Sequence, residues 1–227
     1  MNNNPNVFMQ SDIEKLPNSF SSHAEAIFHL SEVGIDVKQV RVADWLGVSR
    51  ANVSQVIGRM QNSGLIEFGD ELKLTKKGDY LAKMVARRHR IVERFLSEIL
   101  DLPWDQVYEE TKKWENVLSS ITEDAMLKIL GNPKTGLFGN PIPYSNYFEG
   151  PMNRLYDVDT NKKYSIVKIS EELKRDSSVI SFLEKNNILP GNNIYISSTN
   201  EYSITVSVAE DNFFGLDRFI AKRVFVS

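Results

Sequence analysis

The spacing of apolar residues divides the chain into a helical first part and a strand-rich last part. Near residue 25, and again between residues 42 and 60, apolar side chains recur every three or four positions, which predicts short amphipathic helices. The same spacing from Lys76 to Leu100 predicts a long helix, and further helices are expected at 104–114 and 115–130. From Tyr164 onward, short alternating runs predict a small β-barrel, with strands at 164–170, 192–198, 201–208 and 219–226 and a short helix at 178–187.

Two short helices joined by a tight turn are expected between Arg41 and Gln61. Gly47 lies where the first helix would end, because glycine accepts the left-handed backbone of a helix C-cap. Ser49 lies where the second would begin, since its hydroxyl can accept an orphan backbone N–H. An alternating hairpin with a Gly-Asp turn follows at 65–75. Helix–turn–helix spacing alone also fits an ordinary helical hairpin, but the added hairpin gives the order of a winged helix, which binds DNA.

The second helix of the pair would leave mostly polar side chains outward once its apolar face is buried. Gln and Asn can pair with adenine, and Arg with guanine or phosphate. The net charge is −3, so DNA binding needs local basic patches rather than global charge. The candidates for such a patch are Arg41, Arg50, Arg59, Lys73, Lys76 and Lys77.

Composition excludes several classes of function. Hydrophobic residues make up 41% and charged residues 25%, as in soluble globular proteins, and no run is long enough for a membrane helix. The start of the chain lacks a signal-peptide pattern, so we expect a cytoplasmic protein. The absence of cysteine excludes disulfides and thiol catalysis. No Gly-rich phosphate loop or Ser/His/Asp arrangement supports an enzyme.

Four sequence pieces are specific enough to resemble a known family. They are VADWLGVSRANVSQVIGRMQNSGLI, LTKKGDYLAKMVARRHRIVERFL, the Trp114-Glu115 pair in YEETKKWENVLS, and FGNPIP at 138–143. Over residues 20–227 the chain resembles the DtxR/MntR family of metal-dependent bacterial repressors. The resemblance implies a homodimer that binds a palindromic DNA operator when iron(II) or manganese(II) sites fill, and so controls iron or manganese homeostasis genes.

The fold expected from pattern and resemblance together is α+β. Its parts are a flexible arm (1–20), a winged helix–turn–helix domain (21–75), a helical dimerisation and metal-site domain (76–143), a linker (144–163) and a C-terminal Src-homology-3-like barrel (164–227). The resemblance places Ser49, Ala51 and Gln55 on base-facing positions. Asn52 and Ser54 fall on phosphate-facing positions, and Arg41 and Arg59 are expected to contact phosphates.

The family's metal ligands carry over only in part. At the primary site Glu115 is retained, but Ser22, Lys112 and Asn116 stand where the family has ligands. Glu25 aligns with a ligand of the manganese-type members. At the ancillary site His89 and Glu93 match family ligands and share one helix face, whereas Tyr108 replaces a histidine. The barrel carboxylate ligand falls on Asp176, and its neighbouring amide ligand, three residues later, becomes Val179.

Two interpretations of metal control follow. In one, Mn²⁺ or Fe²⁺ still binds at a rearranged site whose ligands come from His89, Glu93, Glu25 or Glu115. In the other, no metal is needed, because the Lys112 ammonium stands where the cation would be and pairs with the nearby carboxylates. A surface ion pair is the plain alternative for His89 and Glu93, and a solvated charged face is the alternative for the basic stretch 87–94. A non-DNA-binding adaptor built on the barrel is the other class of function.

Overall fold

The computed structural model describes residues 16–32, 36–67, 69–114, 117–209 and 212–227. They form two compact units that divide between Ala86 and Arg87. Most of the expected arm, residues 1–15, lies outside the described residues, as do Gly34, Phe68, Glu115 and Asn116.

Three helices and a short hairpin make up most of the first unit. They are α1 (Asn18–Glu32), α2 (Gln39–Leu46) and α3 (Arg50–Asn62), and α4 (Lys76–Glu98) begins here and continues into the second unit. The helices bury a common apolar core that includes Ile27, Val42, Val53, Ile57 and Leu81. The predicted wing is a minimal hairpin, held by a bridge between Ile66 and Leu74.

The caps between α2 and α3 form as the sequence predicts. Gly47 adopts φ 67°, and its N–H donates to the carbonyl of Ala43. The Ser49 hydroxyl accepts the backbone N–H of Asn52 at 3.2 Å. These local devices fix the angle at which α3 leaves the turn, and so decide which α3 side chains face outward.

Helices and a sheet pack together in the second unit. The end of α4, α5 (Trp104–Trp114) and α6 (Ser120–Ile129) share one apolar core. The antiparallel sheet has the order β1-β6-β2-β3-β4-β5, with bulges in β2 and β3. Its elements in chain order are β1 (Asn153–Arg154), β2 (Lys162–Ile169), a 3₁₀ turn (Glu171–Arg175), α7 (Ser177–Lys185), β3 (Asn193–Thr199), β4 (Ser203–Ser207), β5 (Phe213–Asp217), α8 (Arg218–Ala221) and β6 (Val224–Val226).

Several predicted boundaries in the last part are wrong. The sheet begins at Asn153 rather than Tyr164, because β1 pairs with β6, so residues 153–163 are not linker. The strand expected at 219–226 is instead the short helix α8 followed by β6, since the Asp217 carboxylate caps a helix by accepting the Phe219 N–H. Strand β5 was not foreseen, and α6 begins at Ser120, where Ser119 caps it.

Within the part of the chain that the structure describes, no helix combines the length and apolarity that a bilayer crossing requires.

Candidate functional site

One face of α3 is exposed and polar, while its other face is buried. Val53, Val56, Ile57 and Met60 point into the core of the first unit. We call the exposed set the recognition surface; its members, all exposed, are Arg41, Ser49, Arg50, Ala51, Asn52, Ser54, Gln55 and Arg59. The structure therefore brings every sequence-predicted DNA residue to solvent on α2, α3 or the turn between them.

Basic residues flank this surface with different degrees of restraint. The Arg59 guanidinium lies over the Phe20 ring, 5.2 Å from its centroid, which restricts its position. Lys77 donates to the carbonyl of Ser63 at the end of α3. Lys73 is 66% exposed beside Glu71, and Lys76 is also exposed. Exposed and partly held cations of this kind suit phosphate contacts, which position a protein on DNA.

The basic stretch on α4 is not a solvated face. Arg87 and Arg88 both contact the buried carboxylate of Glu123 on α6, at 2.6 Å and 3.3 Å. Arg87 also donates to the carbonyl of Pro143. Arg94 bonds Glu98 and the carbonyl of Thr135. These contacts connect α4 to other segments of the second unit. The alternative that this basic stretch is a solvated charged face is therefore wrong.

Glu93 is the centre of a second, fully buried group of charges. Its carboxylate is 0% exposed on α4. The ammonium of Lys174, itself 3% exposed in the 3₁₀ turn, lies 2.7 Å from Oε1 and 2.8 Å from Oε2. His89 Nε2 is 3.0 Å from Glu93 Oε1, so it donates its proton to that oxygen.

Two further residues complete this group, which we call the buried charge cluster. Glu171 pairs with Lys174 through one oxygen, and its other oxygen accepts from Arg90 Nε at 3.0 Å. Arg90 also donates to the carbonyl of Pro141. The cluster thus comprises His89, Arg90, Glu93, Glu171 and Lys174. Two cations balance two carboxylates, which buried charges require.

Lys174 is held in its charged form by the same contacts. Burial alone favours the neutral amine, but the charges and hydrogen bonds of Glu171 and Glu93 outweigh it and raise the pKa of Lys174 above its ordinary value. The ammonium also lies 4.8 Å from the centroid of the Phe138 ring. A permanent cation therefore stands between two buried carboxylates.

The FGNPIP segment at 138–143 connects the helices of the second unit to its sheet. The Phe138 ring packs edge-on against Trp104, with centroids 4.6 Å apart. The Phe138 carbonyl accepts from the Ile169 N–H, and the Asn140 side chain donates to the Ile169 carbonyl at 2.8 Å. Gly139 has φ +80°, and a Cβ there would lie 2.2 Å from the Val167 carbonyl oxygen. This close approach leaves room only for glycine at position 139.

The other predicted metal residues are Glu25, Glu115 and Asp176. Glu25, in the first unit, lies 3.5 Å from His29 Nε2. Glu115 is outside the described residues. Asp176 caps α7 instead: its carboxylate accepts from Ser178 and Val179 backbone N–H groups and the Ser178 hydroxyl. The hydrogen bond from the Ser178 side chain contributes most to the lowered pKa of Asp176.

Lys112 lies on α5, and its side chain is about half exposed. Its ammonium is 3.3 Å from Glu109 and 3.9 Å from the centroid of the Tyr108 ring. Burial opposes the charge, but Tyr108 and Glu109 outweigh it and raise the pKa of Lys112. Its expected pairing with Glu115 falls outside the described residues and stays a prediction.

The donor set at the buried charge cluster does not fit a divalent ion. Lys174 already occupies the space between the Glu93 and Glu171 oxygens. Over the described ranges as a whole, no three His, Asp or Glu side chains are grouped so that they could hold a metal. The sequence reasoning missed Lys174 and Glu171, although their three-residue spacing is the one it assigned to Asp176 and Val179.

Comparisons with known proteins agree with this architecture. The model of the iron dependent repressor metal binding and dimerisation domain matches residues 75–144, and the FeoA domain model matches residues 153–227. The iron-dependent repressor IdeR of Mycobacterium tuberculosis is 31% identical over 209 residues, which cover 86% of this chain and 91% of IdeR. The chain belongs to the DtxR/MntR repressor family. A second relative, the diphtheria toxin repressor of Corynebacterium diphtheriae, is 30% identical over 195 residues, or 81% of this chain and 86% of its own.

Solved structures of DtxR/MntR proteins show the same fold. A manganese-dependent transcriptional repressor in complex with manganese has a TM-score of 0.82 at 23% identity, covering 91% of this chain and 98% of its own. The T. acidophilum IdeR has a TM-score of 0.75 at 23% identity, with coverage of 91% and 96%. The family membership and the α+β fold with a C-terminal Src-homology-3-like domain are therefore confirmed. DtxR/MntR proteins are transcriptional repressors rather than enzymes.

Proposed function

We propose that this chain is a transcriptional repressor that acts in the cytoplasm as a homodimer on a palindromic DNA operator. The observation that carries the proposal is the recognition surface, where all eight predicted DNA residues are exposed while the apolar face of α3 is buried. A twofold dimer would present two such helices to successive major grooves. Relatives named iron-dependent and manganese-dependent repressors support the same role.

Control by iron(II) or manganese(II) is the second part of the proposal. Two carboxylates support this by resemblance: Glu115 is retained at the family's primary site, and Glu25 aligns with a ligand of the manganese-type members. Hard or borderline ions suit such oxygen donors. The regulated genes would then be those of iron or manganese homeostasis, as the names of the relatives indicate.

Gln55→Ala tests the base-reading part of this proposal. Gln55 is exposed on α3 and can pair bidentately with adenine. Its loss should weaken operator binding by roughly 10- to 100-fold, from a discrimination of about 1–3 kcal/mol, and leave binding to random DNA nearly unchanged. Band-shift titrations on both DNAs measure this.

Gln106→Ala is the matched control, because Gln106 is an exposed glutamine on α5 outside the recognition surface. It should change neither affinity. Equal losses on operator and random DNA for Gln55→Ala would contradict base reading. A failure of the unmodified protein to bind any DNA at low salt, where phosphate contacts are strongest, would favour the adaptor instead.

A further inference from the structure

Lys174 Nζ lies between the carboxylates of Glu93 and Glu171. The two oxygens of Glu93 are 2.7 Å and 2.8 Å away, and a Glu171 oxygen contacts it from the same 3₁₀ turn. His89 adds an imidazole nitrogen 3.0 Å from Glu93 Oε1. Carboxylate and imidazole side chains are also the kinds of donor that a divalent ion such as Mn²⁺ would recruit.

Glu93 needs a cation because it is buried. A fully buried carboxylate without an opposite charge is strongly destabilising. His89 donates one hydrogen bond to it, and Lys174 supplies the positive charge.

The contact also joins two elements that are far apart in sequence. Glu93 lies on α4, whereas Lys174 lies in the 3₁₀ turn that follows β2, 81 residues away. Arg90 and Glu171 repeat the connection across the same two elements. The cluster therefore fastens the C-terminal sheet domain to the second half of α4 from within the second unit.

We propose that the Lys174 ammonium replaces the ancillary metal ion, so that the C-terminal domain is attached to α4 whether or not metal is present. The ancillary site then gives no response to metal, and the sheet domain serves as a fixed part of the protein instead of a metal-responsive one. The proposal concerns attachment within one chain, so it holds or fails independently of DNA binding.

The substitution Lys174→Gln should remove the internal cation and create a potential metal site in its place. The amide removes the charge and introduces a carbonyl oxygen that can ligate a metal beside His89, Glu93 and Glu171. In EDTA the variant should unfold about 10 °C below the unmodified protein, because breaking a buried ion pair leaves an uncompensated carboxylate. Thermal unfolding followed by circular dichroism measures this loss.

Added Mn²⁺ should then stabilise Lys174→Gln more than it stabilises the unmodified protein. The extra rise should be at least about 5 °C when the ion is at a hundred times its dissociation constant. Comparing the two proteins subtracts any effect of metal at the primary site. Lys168→Gln is the matched control: it also removes a lysine–carboxylate pair from the sheet domain, but its partner Glu149 is 37% exposed and can be hydrated. It should show only a small loss in EDTA and no extra rise with Mn²⁺.

A Lys174→Gln protein as stable as the unmodified one in EDTA would overturn the proposal. So would a loss in EDTA that Mn²⁺ leaves unchanged, because the variant would then lack the latent site. If the variant does not fold, the unmodified protein supplies the test by hydrogen exchange of the segment 169–176. Equal protection in EDTA and in Mn²⁺ supports attachment without metal, and protection that falls in EDTA overturns it.

Discussion

At the scale of single residues, the buried charge cluster is defined by the pairing of each carboxylate with a particular cation. Sequence alignment could place His89 and Glu93 because they lie on one helix at a fixed spacing. It could not place Lys174, which reaches Glu93 from 81 residues away, or Glu171, which pairs with Lys174 in the same 3₁₀ turn. Which loop residues contact Glu93 becomes clear only when the fold places the 3₁₀ turn against α4.

Asp176→Ala should lower stability without altering the response to metal. The Asp176 carboxylate caps α7, and loss of an N-cap costs about 1 kcal/mol. Urea unfolding with and without Mn²⁺ measures both effects. A normal stability together with a lost metal response would contradict the capping role and restore Asp176 as a ligand.

Lys112→Glu tests the hypothesis that Lys112 is a built-in cation. The pair with Glu109 is partly exposed, and such pairs contribute less than about 1 kcal/mol. We therefore expect less than about a fivefold change in operator affinity in chelated protein. A much larger loss in the same band-shift assay would show that Lys112 acts as the substitute cation.

At the scale of elements, most local signals predict the structure correctly, whereas distant strand pairings escape prediction. The helix–turn–helix depends on Gly47, Ser49 and helical spacing, all of which act within a few residues. Strand β1 has two residues and pairs with β6 at the other end of the domain, so no local pattern reveals it. The Asp217 cap was the one local signal for α8 that the strand interpretation overlooked.

The FGNPIP phrase gives a prediction at this scale. Gly139→Ala should destabilise the protein by about 3 kcal/mol or more, because the new Cβ would clash with the Val167 carbonyl in addition to the strain of a positive φ. Gly131→Ala is the control: Gly131 has φ +74° but open space around it, so it should cost only about 1–2 kcal/mol. Equal losses in urea unfolding would mean that the close approach at Gly139 is unimportant.

At the scale of the whole molecule, three parts have three separate tasks. The first unit presents the recognition surface, the helices of the second unit carry the dimerisation domain of the family, and the FeoA domain is fastened to them by the buried charge cluster. The sequence predicted this division from hydrophobic pattern and family resemblance. It could not show that the Lys174 ammonium lies between the carboxylates of Glu93 and Glu171.

Metal-controlled repression is tested most directly by measuring operator binding of the fully chelated protein and repeating the measurement after addition of Mn²⁺ or Fe²⁺. DNA from upstream of the protein's own gene and of metal-transport genes provides the candidate operators, with random DNA as the reference. We predict specific binding that tightens by about tenfold or more with metal, the lower part of the usual range for coupling between two sites. Tight specific binding that ions leave unchanged would contradict metal control, and an absence of specific binding in every condition would contradict the repressor itself.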